Sequence, residues 1–266
     1  MKAIAVLSEY IRSCERSARA GDEVLRQWRG HITVREKGRA DLVTEADLAS
    51  QRLIKELVSK DFPSHSFVGE EDGTSTLDKA AEYCWIVDPL DGTTNYVHGL
   101  PGWCVSVALT HNGRPEAGCV YDVDRDICYS ANRGDGAFSN GVPISTSKTD
   151  RLGDALVAVS FPAEVDRESP EIASFLELLP RVRAFRRLGS AALNLCYVAT
   201  GQLDAYWTGN IKPWDVAAGV LILQEAGGVA TSMYGEPHQV ATTSLAAAGS
   251  VQLHHELVAQ LSIGIR

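Results

Sequence analysis

Trp85-Ile86-Val87-Asp88-Pro89-Leu90-Asp91-Gly92-Thr93-Thr94-Asn95 opens as an apolar run and closes as a turn. The first three residues read as a buried strand, and Pro89 with the Asp91-Gly92 pair breaks it. The break leaves two carboxylates, Asp88 and Asp91, at the strand's end, and the hydroxyls of Thr93 and Thr94 follow at once. Hard oxygen ligands delivered by a rigid strand into a tight turn are what a divalent metal on a phosphate-handling enzyme needs. Pro89 supplies a fixed φ, and Gly92 lets the backbone come close to a ligand. The N–H groups after Gly92 form the open start of a helix, which favours a bound anion. The same residues also read as an ordinary loop, because Asp-Pro and Asp-Gly are common turn formers. The Asp-x-x-Asp spacing alone does not separate the two readings.

Upstream, residues 3–29 place Ile4, Leu7, Ile11, Ala18 and Leu25 at helical intervals, which predicts a long amphipathic helix ended by Gly30. Residues 31–43 read as a hairpin turning at Lys37-Gly38-Arg39, and a second helix runs on to Lys60. Thr44 with Asp47 three residues later fits a capping box, which gives Asp47 a purely structural reading. A short strand at 66–68 ends in Gly69-Glu70-Glu71-Asp72-Gly73, an acidic cluster that by itself reads as a solvated loop. Residues 72–82 carry no apolar period and read as mobile.

Downstream, residues 103–111 alternate as a strand does, and His111-Asn112-Gly113-Arg114 is a strong hairpin signal. Strands at 115–121 and 126–131 and a hairpin around Ala137-Phe138 follow. This half reads as two helices on a mostly antiparallel sheet. The remainder alternates: strands at 155–159, 183–188 and 203–207, helices at 170–179, 189–200 and 213–226, strands near 229–232 and 244–249, and a last helix from 251. Pro213 in a first turn and Gly227-Gly228 past the end is the expected helix asymmetry. Alternation favours an α/β layer. Arg181, Arg183, Arg186 and Arg187 fall largely on one solvated strand face. No repeat or linker interrupts the chain. It reads as one domain, 1–266, with an α+β half at 1–150 and an α/β half at 151–266 that completes the site.

Composition narrows the class. An apolar fraction of 45% in 266 residues supports a sizeable core, and 22% charged residues argue against disorder. A net charge of −9 argues against non-specific nucleic-acid binding. It would also repel a phosphate substrate, a conflict that bound cations resolve locally. The six cysteines form no Cys-x-x-Cys pair. Most sit in apolar runs as small hydrophobes, which suits a reducing cytoplasm. Glu9, Arg12, Glu15 and Arg16 leave no signal-peptide core, and no run of about 18 apolar residues exists, so no membrane span is expected.

Five carboxylates fall where elements begin or stop: Asp47, Glu70, Asp88, Asp91, and Asp215 in Lys212-Pro213-Trp214-Asp215-Val216-Ala217-Ala218-Gly219. Each has a bland explanation; for Asp215 it is the helix dipole. Together these residues resemble the inositol monophosphatase-like phosphatases. One signature of that family is matched by residues 85–98, and a second by Trp214-Asp215-Val216-Ala217-Ala218-Gly219 running on to Glu225-Ala226-Gly227-Gly228. Asp41-Leu42-Val43-Thr44 with Asp47, Gly69-Glu70-Glu71, and Gly189-Ser190-Ala191-Ala192 match in the right order. The resemblance covers nearly the whole chain.

The resemblance implies a layered αβαβα sandwich, magnesium dependence, lithium sensitivity and a homodimer. It puts Glu70, Asp88 and the Leu90 carbonyl on one Mg2+, Asp88, Asp91 and Asp215 on a second, and Glu70 with waters on a third. Glu70 and Thr93 would orient the attacking water, and Asp47 would hold the Thr93 hydroxyl. Amides of Gly92 and Thr93 would grip the phosphate of a small-molecule ester, with Gly189, Ser190 and Ala191 lining the pocket beside Asp91 and Asp215. Two ions about 3.5–4 Å apart clamp phosphate oxygens, acidify a water and shield the leaving alkoxide. Inositol-specific members contact sugar hydroxyls through a glutamate whose place is taken here by Thr208, which is shorter and uncharged. Inositol monophosphate or another polyol phosphate leads. Histidinol phosphate, fructose bisphosphate, nucleotide 3′-phosphates and NADP, all handled by relatives, are the alternatives. Some relatives bind the transcription machinery, which makes an interaction protein the reading from another class. A calcium module is disfavoured, since EF-hand spacing is absent.

Overall fold

The N-terminal period becomes α1 (Lys2–Trp28), which buries Tyr10, Cys14, Ala18 and Leu25. A computed structural model of the chain describes residues 2–30, 34–38, 41–72, 81–162 and 164–262, and gives the backbone alone at 2–8, 34–38 and 41–43. The expected turn at Lys37-Gly38-Arg39 falls partly outside these residues, and the expected mobile loop at 72–82 mostly outside. β1 (Val34–Gly38) and β2 (Asp41–Thr44) pair antiparallel as a hairpin does. The hairpin leads into α2 (Glu45–Asp61), which lies against α1.

A seven-stranded sheet follows, in sequential order: β3 (Ser66–Gly69), β4 (Tyr83–Asp91), β5 (Cys104–His111), β6 (Arg114–Asp122), β7 (Ile127–Asn132), β8 (Gly136–Ser139) and β9 (Val142–Pro143). Only β3 and β4 run parallel; the other neighbours are antiparallel, joined by short turns. The short helix α3 (Thr93–Val97) leaves the end of β4.

The second sheet has the order β11-β10-β12-β14-β13. Its members are β10 (Leu156–Ser160), β11 (Ala184–Arg186), β12 (Ala205–Thr208), β13 (Val229–Thr231) and β14 (Leu245–Ala248). Helices α4 (Pro170–Leu178) and α5 (Ala191–Ala199) carry the crossovers that make β11 and β12 parallel to β10. No helix separates β13 from β14, and they pair antiparallel, so the expected α/β layer is mixed. The strand expected at 183–188 shrinks to three residues at the sheet edge, where Ala184–Arg186 pairs with β10 alone. α6 (Pro213–Glu225) and α7 (Val251–Leu261) complete the chain.

Three apolar clusters define five layers. One packs α1 and α2 on the outer face of the first sheet. The second fills the space between the sheets around α5 and α6. The third sets α4 and α7 on the far face of the second sheet. This is the αβαβα sandwich. α6, from the C-terminal half, packs mainly on β4–β8 of the N-terminal half, so the two halves share one interior. All six cysteines are buried, and none forms a disulfide. Among the described residues, no helix is long and apolar enough to cross a membrane.

Candidate active site

The quoted stretch does not stop at its proline. β4 continues to Asp91 across a bulge: Asp88 pairs with Ser106 and Asp91 with Cys104, so three steps along β4 match two along β5. Pro89 sits in the bulge, where no ladder N–H is required of it. The extra residue has a chemical consequence. In a regular strand, residues three apart point to opposite faces. Ser106 and Cys104 are two apart and share a face, so their partners Asp88 and Asp91 share it too.

Each carboxylate is then fixed by a different neighbour. Asp88 accepts from the Leu90 amide (2.9 Å). Asp91 lies at the start of α5, where it accepts from the Ser190 hydroxyl (2.6 Å) and the amides of Ala192 (2.7 Å) and Ala191 (3.3 Å). The helix dipole favours a negative charge there. Ser190 also caps α5 by accepting from the Leu193 amide. Asp215 sits in the first turn of α6 and accepts from the Lys212 amide (2.8 Å). The Ser106 hydroxyl, on the strand beside Asp88, donates to the Trp214 carbonyl and ties that turn to the first sheet. Glu70 follows β3, and β3 aligns Gly69 with Val87, which brings Glu70 abreast of Asp88.

Electrostatically, Asp88 and Asp215 both feel Glu70 and Asp91. Burial raises the Asp88 carboxyl well above the usual carboxylate range, and the charges of Glu70, Asp91 and Asp215 push it further. Asp215 is raised by burial, then by Asp91 and Glu70, with Lys212 pulling weakly the other way. Burial also raises Asp91, opposed by its donors on Ser190, Ala192 and Ala191. Among the described residues, no three acidic, histidine or cysteine side chains are drawn close enough to enclose an ion unaided. The chemistry of the set nevertheless fits a hard divalent cation: all donors are oxygens, Asp88 and Asp91 are buried, and the charges repel one another. Backbone oxygen and water would complete the shell.

On the other side, the buried Asp47 does two things at once. It accepts from the Thr44 amide (3.0 Å) and hydroxyl, forming the capping box of α2, and its second oxygen lies 3.5 Å from the Thr93 hydroxyl. Burial pushes its pKa up to about 6. Thr93 donates to the Leu90 carbonyl (3.0 Å). Gly92 has φ +97°, and a Cβ there would stand 2.9 Å from the Gly102 carbonyl, so the turn accepts only glycine.

Asp47, Leu90, Gly92 and Thr93 therefore meet at one end of β4, and Glu70, Asp88, Asp91, Asp215, Ser190 and Ala191 around it. The polar groups of Ser190 and Ala191 are turned to Asp91. Thr208 is different: it has no exposed surface, and its hydroxyl donates to the Asn210 carbonyl (3.1 Å).

Several supporting residues went unread in the sequence. Asn95 donates to the carbonyls of Gly102 (2.9 Å) and Leu188 (2.8 Å). Gln51 accepts from the Glu71 amide (2.9 Å) and donates to Asp72 (3.1 Å), steadying the turn that carries Glu70. Ser50 donates to the Pro89 carbonyl. The signal for Ser50 and Gln51 was present, since they lie three and four residues after Asp47 on one helix face. Cys104 and Ala192 carry no such local mark.

The model for the inositol monophosphatase family matches residues 7–265. Over 233 residues the chain is 42% identical to the chloroplastic phosphatase IMPL1 of Arabidopsis thaliana, a match covering 85% of this chain and 62% of that protein. The chain thus spans less than two thirds of that relative's length. It is 39% identical over 208 residues to Nus factor SuhB of Pseudomonas aeruginosa, covering 77% of each. The structure of inositol monophosphatase from Anabaena superposes with a TM-score of 0.86 at 37% identity, over 97% of this chain and 96% of that one.

Proposed function

The chain belongs to the inositol monophosphatase family, and from that premise we propose that it is a Mg2+-dependent phosphomonoesterase acting on a small polyol phosphate. The observation that carries this reading is the electrostatic coupling of Asp88 and Asp215 to Glu70 and Asp91, in which burial and like charge both raise the two carboxyls. Uncompensated buried carboxylates are costly. A site that keeps Asp88 and Asp91 buried beside Asp215 and Glu70 is built to be completed by cations.

Asp88, Asp91 and Asp215, with Glu70 and the Leu90 carbonyl, would hold those cations. Divalent ions bound there supply charge neutralisation of the phosphate and lower the pKa of water. The residues do the rest. Ser190 and the first turn of α5 hold Asp91 in its orientation. Asp47 and the Leu90 carbonyl flank the Thr93 hydroxyl, which with Glu70 would orient the attacking water. The amides of Gly92 and Thr93 would grip the phosphate.

Inositol monophosphate remains one of several substrates in view, beside histidinol phosphate, fructose bisphosphate, nucleotide 3′-phosphates and NADP, because Thr208 offers no carboxylate to a sugar. Lithium inhibition and a homodimer belong to the same proposal, checked by LiCl titration and by the mass in solution. A panel of phosphate esters assayed with Mg2+ and with EDTA tests the core of it. Hydrolysis should require the metal and vanish in Asp91→Asn with the fold retained. Hydrolysis unchanged in EDTA, or in that variant, overturns the reading.

The similarity to a protein named Nus factor SuhB favours a second reading, an interaction protein of the transcription machinery. Partners that copurify equally with an Asp88→Asn variant lacking turnover would support it.

A further inference from the structure

Away from the acidic cluster, a cavity of about 950 Å3 opens between the β5–β6 turn, one side of α6 and residues 237–243. Its lining includes Cys84, four residues before Asp88 on β4 and so about 13 Å along the strand from that carboxylate. Its near end reaches Lys212 at the start of α6. The volume is that of a small-molecule site, roughly 300–1,000 Å3.

Two observations say what would bind. First, the charges lining the cavity are of one sign. Arg114, Arg133 and Lys212 face it, and no carboxylate does among the described residues, in a chain whose net charge is −9. Arg133 is paired with Glu116 (3.2 Å), the Lys212 charge acts weakly on Asp215, and Arg114 has no ion pair within 4 Å among the described residues. Second, His238 on the cavity wall has both ring nitrogens buried and without a partner. Burial lowers its pKa to about 4, so the ring is neutral and presents a flat uncharged wall. The segment is also held in place: Pro237 bridges to Thr231, and Gln239 and Thr242 bond to each other twice.

We propose that this cavity is a second ligand site, separate from the carboxylate cluster, for a small organic anion with an apolar or ring-shaped body. The anionic group is held by Arg114, Lys212 adds positive charge at the near end, and the body lies against Pro115, Ile211, Val240 and the ring of His238. The assignment does not depend on the phosphatase reading.

Phenylphosphonate, whose carbon–phosphorus bond a phosphomonoesterase does not cleave, is the probe. It is titrated into the full chain in EDTA, where the four carboxylates repel anions, and followed by calorimetry and 31P NMR. The expected result is saturable binding of one molecule per chain. Binding should weaken at least tenfold in Arg114→Glu, at least threefold in His238→Ala, and remain unchanged in Asp88→Asn. Arg114 is exposed, so its variant retains the fold. Absence of saturable binding in EDTA, binding indifferent to Arg114→Glu, or binding lost in Asp88→Asn overturns the proposal.

Discussion

Ser190 donates its hydroxyl to Asp91 at 2.6 Å across 99 positions of the chain, and the same oxygen caps α5 by accepting from the Leu193 amide at 3.1 Å. One side chain thus fixes a candidate metal ligand and starts a helix of the middle layer. Ser190→Ala should cost about 1–2 kcal/mol, the loss of an N-cap and of a bond to a charged group. It should also lower kcat about tenfold, since a ligand freed by even a small angle serves poorly. Urea unfolding and steady-state kinetics check both. An effect on stability with kcat untouched would show that Asp91 is oriented without Ser190.

Asp88→Asn is expected to stabilise the metal-free protein while abolishing turnover. Burial and three acidic neighbours all oppose the Asp88 charge, and removing that charge relieves a strain kept for function. A gain of about 1–3 kcal/mol corresponds to several degrees in Tm for a chain of this size. Melting in EDTA reads it, and a lowered Tm would mean that the carboxylates do not repel one another.

Asp47 gives a pH dependence whose sign is set by its raised pKa. The folded state holds the proton up to about pH 6, against an ordinary aspartate value of 3.8. Between these values the folded chain therefore binds more protons than the unfolded one, and stability falls as pH rises. The contribution is complete below the unfolded value and gone above the folded one. Relative to Asp47→Asn, the wild type should lose up to about 3 kcal/mol between pH 4 and 7. Denaturation of both proteins in EDTA across this window measures the difference. A difference that is flat, or that grows with pH, contradicts it.

Gly189→Ala should be poorly tolerated. Gly189 has φ +92°, and a Cβ there would stand 2.7 Å from the Asn95 amide nitrogen, which links Gly102 to Leu188. The expected cost is about 1–3 kcal/mol from backbone strain and the displaced amide. Asn95→Ala in the same chain should recover part of it, because the two residues are in contact and their effects are not additive. A double-mutant cycle with no coupling would place the strain in the backbone alone.

How much could be read beforehand follows from the range of each interaction. α1, α2, the antiparallel meander and α6 with Pro213 at its start are local patterns of period and capping, and they were legible. Asp47 was legible twice over, as a cap and as a partner of Thr93, because its capping role depends on Thr44 three residues away. The continuation of β4 through Pro89 was not, since a proline ends a strand unless the neighbouring strand tolerates a bulge. Nor was the seclusion of Thr208, whose position in the chain suggests a substrate contact while its packing spends the hydroxyl on Asn210.

The sequence by itself determined the kinds of element, the acidic residues at their ends and the family signatures that contain them. These depend on neighbours a few residues apart, and short-range sterics and capping act in any context. Only the tertiary structure decided that Asp88 and Asp91 look the same way, that α5 and α6 carry Ser190 and Asp215 up to them, and that Arg114 and His238 border one cavity. Those outcomes rest on pairing register and layer packing between residues far apart in the chain, where one bulged residue is enough to reverse the direction of a side chain.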